Sequence, residues 1–197
     1  MDDIKERIEF LCDLTEEDKN NIILLVNIAD DTLFNYFNKR CKDFNIVICE
    51  GEWAMTVQSI SHRRKKKYSE MMKFSDTNDI SFTDTRLKEI IIRKDKANFG
   101  NYLHEMVFAV MHDGLPEHLR EALAWYFTLE MLKPYRYAKP IYPNWVIDLY
   151  LQPIRHLVRM FGIEFTKDLA LGNIDVEDSL LPKEVQRLFL PEGLDNI

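Results

Sequence analysis

His104 and Glu105 stand side by side in the stretch NYLHEMVF, residues 101 to 108. On a helix, two histidines four positions apart share a face and can hold one zinc ion, while a glutamate beside the first polarises a bound water for hydrolysis of a peptide bond. His104 fills the place of the first ligand and Glu105 that of the general base. Phe108 fills the place of the second histidine, and a phenyl ring has no lone pair to offer a metal. His112 lies further along, about 12 Å from His104 on a regular helix, and bonds of about 2 Å cannot span that gap. Glu117, His118 and Glu121 follow a turn and can fold back toward either histidine. A metal site built from His104, His112 and Glu117 or Glu121 around Glu105 is therefore one reading. A plainer one is that Leu103, Met106, Val107, Val110 and Met111 make this helix apolar around most of its circumference, as suits a buried central helix with a hydrogen-bonded structural histidine.

The elements that must position these residues lie between Lys88 and Pro134. The pattern reads strand, short loop, helix, Asp-Gly-Leu-Pro turn and a second helix, with Pro116 suited to the helix's first turn. The runs 45–51 (NIVICEG) and 89–94 (EIIIRK) are β-branched and predict strands, and 79–82 (DISF) predicts a third. Residues 1–44 are helical in composition. Thr15 ahead of three acids is an N-cap signature, Ile22, Leu25, Val26 and Ala29 recur at helical spacing, and Leu33, Phe34 and Phe37 carry an apolar face into a second helix.

With 197 residues and 46% hydrophobic content, the chain can bury one sizeable core, so one domain is expected over 1–197. The balance of 26 basic against 33 acidic residues gives a net charge of −7, which argues against a surface that coats nucleic acid or anionic lipid. Five consecutive cations, Arg63 to Lys67, could grip a phosphate or an acidic partner, but on an acidic chain such a run is more often a solvated helix face or loop. Six glycines and no glycine-rich loop exclude nucleotide binding by a P-loop or dinucleotide-fold route. The N-terminal residues lack the pattern of a signal peptide and no apolar run is long enough to span a bilayer, so a cytoplasmic protein is expected. Cys12, Cys41 and Cys49 show no Cys-x-x-Cys spacing and read as reduced thiols.

The segments FGNYLHEMVFAVMH (99–112) and LAWYFTLEMLKP (123–134) together resemble the helix pair of the ImmA/IrrE family of cytosolic bacterial and phage zincin-like proteins. Phe127, Leu132 and Pro134 match the second helix, and VRMFGIEFTKDL (158–169) is faintly similar to the small helical segment that follows. The strand-helix-helix unit is similar more widely to the core of lethal-factor-like peptidases. The resemblance implies an α+β, helix-rich fold: a small sheet packed on a zincin-like helix pair at 45–134, N-terminal helices at 1–44 and a C-terminal helical segment at 135–197. It implies zinc as cofactor where the site works. Carried over residue by residue, His104 matches the first ligand and Glu105 the base. Phe108 departs from the pattern, and Leu123 falls where the acidic third ligand belongs, although a shift of two residues puts Glu121 there.

The run KPYRYAKPIYPNW (133–145) holds three tyrosines, three prolines and a tryptophan. Tyr135, Tyr137 or Tyr142 could stabilise an oxyanion, with Tyr137 taken as the catalytic candidate, or the run is a proline-pinned crossover whose rings pack on the core. Pro153 should kink or split the next helix, and Pro182 should start a last short one that docks through Val185, Leu188 and Phe189. The expected function is an inactive pseudo-metallopeptidase that binds a protein or peptide without cutting it and needs no cofactor. In that reading EIIIRK serves as an edge strand that pairs with an extended peptide. The alternatives are a working metallopeptidase with a rearranged site and a structural helical protein without a catalytic site.

Overall fold

The computed structural model of the chain describes residues 4–49, 81–85, 87–94, 98–135, 146–177 and 180–189. Two of the β-branched runs form its centre. Strand β2 (Asn45–Cys49) pairs in parallel with Glu89–Arg93, which is β4 in chain order, at the register Ile46↔Ile90 and Ile48↔Ile92. Ile46, Val47, Ile48, Ile90, Ile91 and Ile92 are all buried, and interior strands covered on both faces need such unbroken apolar runs.

The two flanking strands are β1 (Ile8–Phe10), parallel to β2, and β3 (Ser81–Asp84), antiparallel to β4, giving the order β1-β2-β4-β3. This corrects two expectations. Residues 1–44 are not all helical, because Ile8–Phe10 follows a short 3₁₀ turn (Ile4–Arg7) into the sheet. EIIIRK is not an edge strand: it has a partner on both sides, and among the described residues β3 takes the edge beside it.

Helix α1 (Glu16–Phe37) crosses over between β1 and β2 as a single helix, where a break before Leu33 was expected. Thr15 caps it, its hydroxyl accepting from the Asp18 amide at 3.1 Å, and Asn38 ends it in the left-handed conformation (φ 54°). Helices α2 (Phe99–Val110) and α3 (Glu117–Met131) follow β4, and α2 packs against both α1 and α3. Asn98 caps α2 and Pro116 leads α3. The rings of Tyr36, Phe37 and Phe127 meet edge-on where α1 approaches α3, with Phe37 and Phe127 centroids 5.0 Å apart.

A π-helical turn (Ile147–Leu151) runs directly into α4 (Gln152–Phe161), with Pro153 in its first turn: where a kink or split was expected at the proline, the hydrogen-bond pattern changes from π to α without a break. Gly162 (φ 89°) separates α4 from α5 (Ile163–Leu171), and Pro182 leads α6 (Lys183–Gln186). Val185 and Leu188 are buried against the body of the protein. One apolar cluster runs from Ile4 through the sheet and helix pair to Leu188. The architecture is thus α+β and helix-rich, a small sheet on a helix pair with further helices after it. No helix among the described residues is long and apolar enough to cross a membrane.

Candidate functional site

Where α2 lies along α3, His104 Nε2 faces Glu121 Oε1 at 3.4 Å. Trp125, one turn on from Glu121, stacks its indole on the imidazole with centroids 4.0 Å apart and planes 30° from parallel. Its N–H also bonds the Glu121 carboxylate. Burial alone would push the His104 pKa down, but the facing Glu121 carboxylate, with Glu105 behind it, reverses the sign and lifts it above 6.5. Burial would likewise raise Glu121, and the imidazolium, the indole N–H and His118 bring it below its ordinary value of 4.5. Both shifts favour the charged forms, an imidazolium facing a carboxylate. His104 is 5% exposed, and its Nδ1 has no hydrogen-bond partner among the described residues.

Glu105 is turned by about 100° from His104 on the helix and looks at the sheet instead. Ser81 Oγ donates to its Oε1 at 2.6 Å and Thr83 Oγ1 to its Oε2 at 2.7 Å. The same Thr83 hydroxyl lies 3.2 Å from the Glu105 backbone carbonyl. Ser81 and Thr83 can both do this because residues two apart on a strand share a face. Burial raises the Glu105 pKa, and His104 and the two hydroxyls offset only part of that rise. Each carboxylate oxygen accepts a hydrogen bond from β3, and the side chain is buried against that strand and turned away from His104.

Phe108 is the floor of a cation site. The Arg120 guanidinium lies 4.3 Å from its ring centroid, donates to the Phe108 carbonyl at 3.2 Å and reaches Asp113 at 3.4 Å. The side of α2 where a second histidine would stand thus meets a buried positive charge, whose pKa burial lowers and Asp113 partly restores.

The other candidates separate. His112 lies past the end of α2, its amide bonded to the Ala170 carbonyl at 2.9 Å and its ring laid against Gly114 and Gly172. His118 Nδ1 sits 3.2 Å from the Tyr150 hydroxyl, and burial, with Glu121 and Glu117 adding to it, pushes that phenol up to about 12. Glu117 is exposed and acts on Arg120 and Tyr150 only through its charge. Leu123 is fully buried in the core, so of the two alignments of the acidic position, the one on Glu121 puts a carboxylate against His104. Tyr135 packs edge-on against Phe99 at 5.1 Å, while Tyr137, Tyr142 and the run Arg63 to Lys67 lie outside the described residues.

Zinc in a catalytic centre takes three protein ligands and keeps one position open. Among the described residues no group of three or more His, Cys, Asp or Glu side chains stands close enough to hold a metal ion. His104 and Glu121 supply two donors, Glu105 is held by hydroxyls, and Arg120 brings a charge of the wrong sign. Among the described residues, the side chains around His104 do not make up a zinc centre.

No family model, no curated protein and no solved structure matches the chain.

Trp125, Arg120, Ser81, Thr83 and Tyr150 complete the site, and none of them was singled out from the sequence as a partner of His104 or Glu105; His118, which was, meets Tyr150 and acts on Glu121 through its charge. Trp125 follows Glu121 by four residues, a spacing that puts both on one helix face. The serine–threonine pair two apart on a strand is a weaker signal, legible only once the strand is known to lie beside α2.

Proposed function

We propose that this chain is a non-catalytic, zincin-like protein, similar in scaffold to the ImmA/IrrE family, that binds a protein or peptide segment without hydrolysing it. The observation that carries the reading is the Glu105 carboxylate, which accepts from Ser81 at one oxygen and Thr83 at the other. A general base must present an oxygen to the water it activates. The arrangement around it points the same way: a buried ion pair between His104 and Glu121 stands where a peptidase would keep two metal ligands, and a guanidinium covers Phe108. Binding is assigned to the edge strand β3, whose outer backbone groups suit pairing with an extended chain.

Zinc titration by calorimetry of the untagged protein, with metal content by mass spectrometry and turnover of unfolded casein, tests the reading. No stoichiometric zinc and no cleavage are expected, while a display library of extended peptides should be enriched by the wild type and not by a Thr83→Pro variant that keeps the wild-type melting curve. A zinc ion retained at one per chain and lost in His104→Ala would replace this reading with that of a working metallopeptidase. Phe108→His combined with Arg120→Ala supplies a third donor and removes the competing charge, and is expected to create zinc binding that neither the wild type nor Arg120→Ala has.

A further inference from the structure

A cavity of about 480 Å³ opens between the loop that follows α1, the turn before β4 and the C-terminal end of α2. Lys39 and Lys42 enter it from the first and Lys88 from the second. The loop that carries the first two is held in place. Asp30, buried in α1, accepts from the Cys41 amide at 3.2 Å and pairs with Arg40, and Arg7 donates to the carbonyls of Cys41 and Phe44. Lys88 is fixed as well: its backbone is left-handed at φ 55°, a conformation lysine rarely adopts, and its ammonium rests 4.8 Å from the centroid of the Phe44 ring.

The charges do not cancel there. Arg40 divides its guanidinium between Asp30 and Asp31, and Asp113 is shared by Lys88 at 3.7 Å and Arg120 at 3.4 Å. Asp43 is the other carboxylate on the lining, while Lys39 and Lys42 make no ion pair among the described residues. Counting Arg7 beneath the loop, this end of the molecule gathers an excess of positive charge on a chain whose net charge is −7. Because the loop backbones are held, only the exposed lysine side chains have to be ordered when an anion arrives, which lowers the cost of binding.

We infer that this cavity is a binding site for a small phosphoryl-bearing anion. Lysine ammoniums on separate loops suit the several oxygens of a phosphoryl group, and the volume admits more than one such group. Two sources share that chemistry, inorganic pyrophosphate and a nucleoside diphosphate. This inference is independent of whether the His104 site binds metal or peptide.

Calorimetric titration of the full chain at low ionic strength with pyrophosphate and, separately, with ADP tests it. Saturable binding at one per chain is expected, weakened about tenfold or more by Lys39→Gln/Lys42→Gln, since each charge-assisted contact contributes at least that factor. Lys88→Gln should weaken it likewise, and the exposed lysine pair guards against a folding defect at the strained position. Equal affinity for the two ligands would assign the site to the phosphoryl groups alone, and tighter ADP binding would add a nucleoside contact. Absence of saturable binding of either ligand at millimolar concentration overturns the inference. So does binding that both cleft variants leave unchanged and that neutralising Arg63 to Lys67 abolishes.

Discussion

At the scale of single residues, the chemistry of the His104 pair gives a pH signature. His104 has its pKa raised above 6.5 on folding, so its contribution is full below 6.5 and is lost as pH rises through the folded value. Glu121 has its pKa lowered from 4.5, so its contribution is full above 4.5 and is lost as pH falls through the folded value. Both are present together between 4.5 and 6.5. Glu121→Gln keeps the shape and removes the charge, and is expected to cost about 3 kcal/mol within that window because it strands a buried imidazolium. The cost should shrink as pH rises and His104 loses its proton in the variant first. Urea denaturation of wild type and variant at pH 5.5 and 8.5 measures both; a difference that grows with pH would contradict the ion pair.

At the scale of elements, ends and turns carry the specificity of placement. Gly172 closes α5 at φ 70°, and a Cβ built there would lie 2.6 Å from Cγ of His112. Gly172→Ala therefore suffers twice, from a left-handed backbone and from a ring pinned by the His112 amide bond to Ala170. A loss of about 2 to 3 kcal/mol is expected, against about 1 kcal/mol for Thr15→Ala at the cap of α1, which removes one hydrogen bond to an otherwise orphan amide. Thermal melts of the two variants in one buffer give the ranking. His112 thereby has a structural place: its backbone amide ties the α2–α3 turn to the end of α5, and its exposed ring lies beside Gly114 and Gly172.

At the scale of the whole molecule, one apolar cluster links the first described turn to the last. Phe127 stands at its centre, fully buried and ringed by Tyr36, Phe37 and Tyr126. Phe127→Ala is expected to cost about 3 to 5 kcal/mol through lost burial and a residual cavity. Because the cluster is shared, far-UV circular dichroism and tryptophan fluorescence should report coincident urea transitions in the wild type. Separate midpoints would mean that the C-terminal helices unfold on their own.

Residues 45–49, 89–93, 99–110 and 117–131 and the start of α1 were legible in the sequence, because β-branched runs, apolar helical spacing, Thr15 and Pro116 are local signals and local physics decides them. The sequence also set His104 and Glu105 on one helix and placed Phe108, which cannot bind a metal, where a second ligand would stand. What it left open was every relation between distant segments. Ile8–Phe10 is too short to announce itself as a strand, and becomes one because Ile46 to Ile48 offer it a parallel partner. EIIIRK became interior because β3 pairs along it, which no property of its own residues dictates. The meeting of His104 with Glu121 and the binding of Glu105 by Ser81 and Thr83 were decided by tertiary structure alone. Side-chain partners across helices and strands are set by which faces the core brings together, and that choice belongs to the packing of the whole chain.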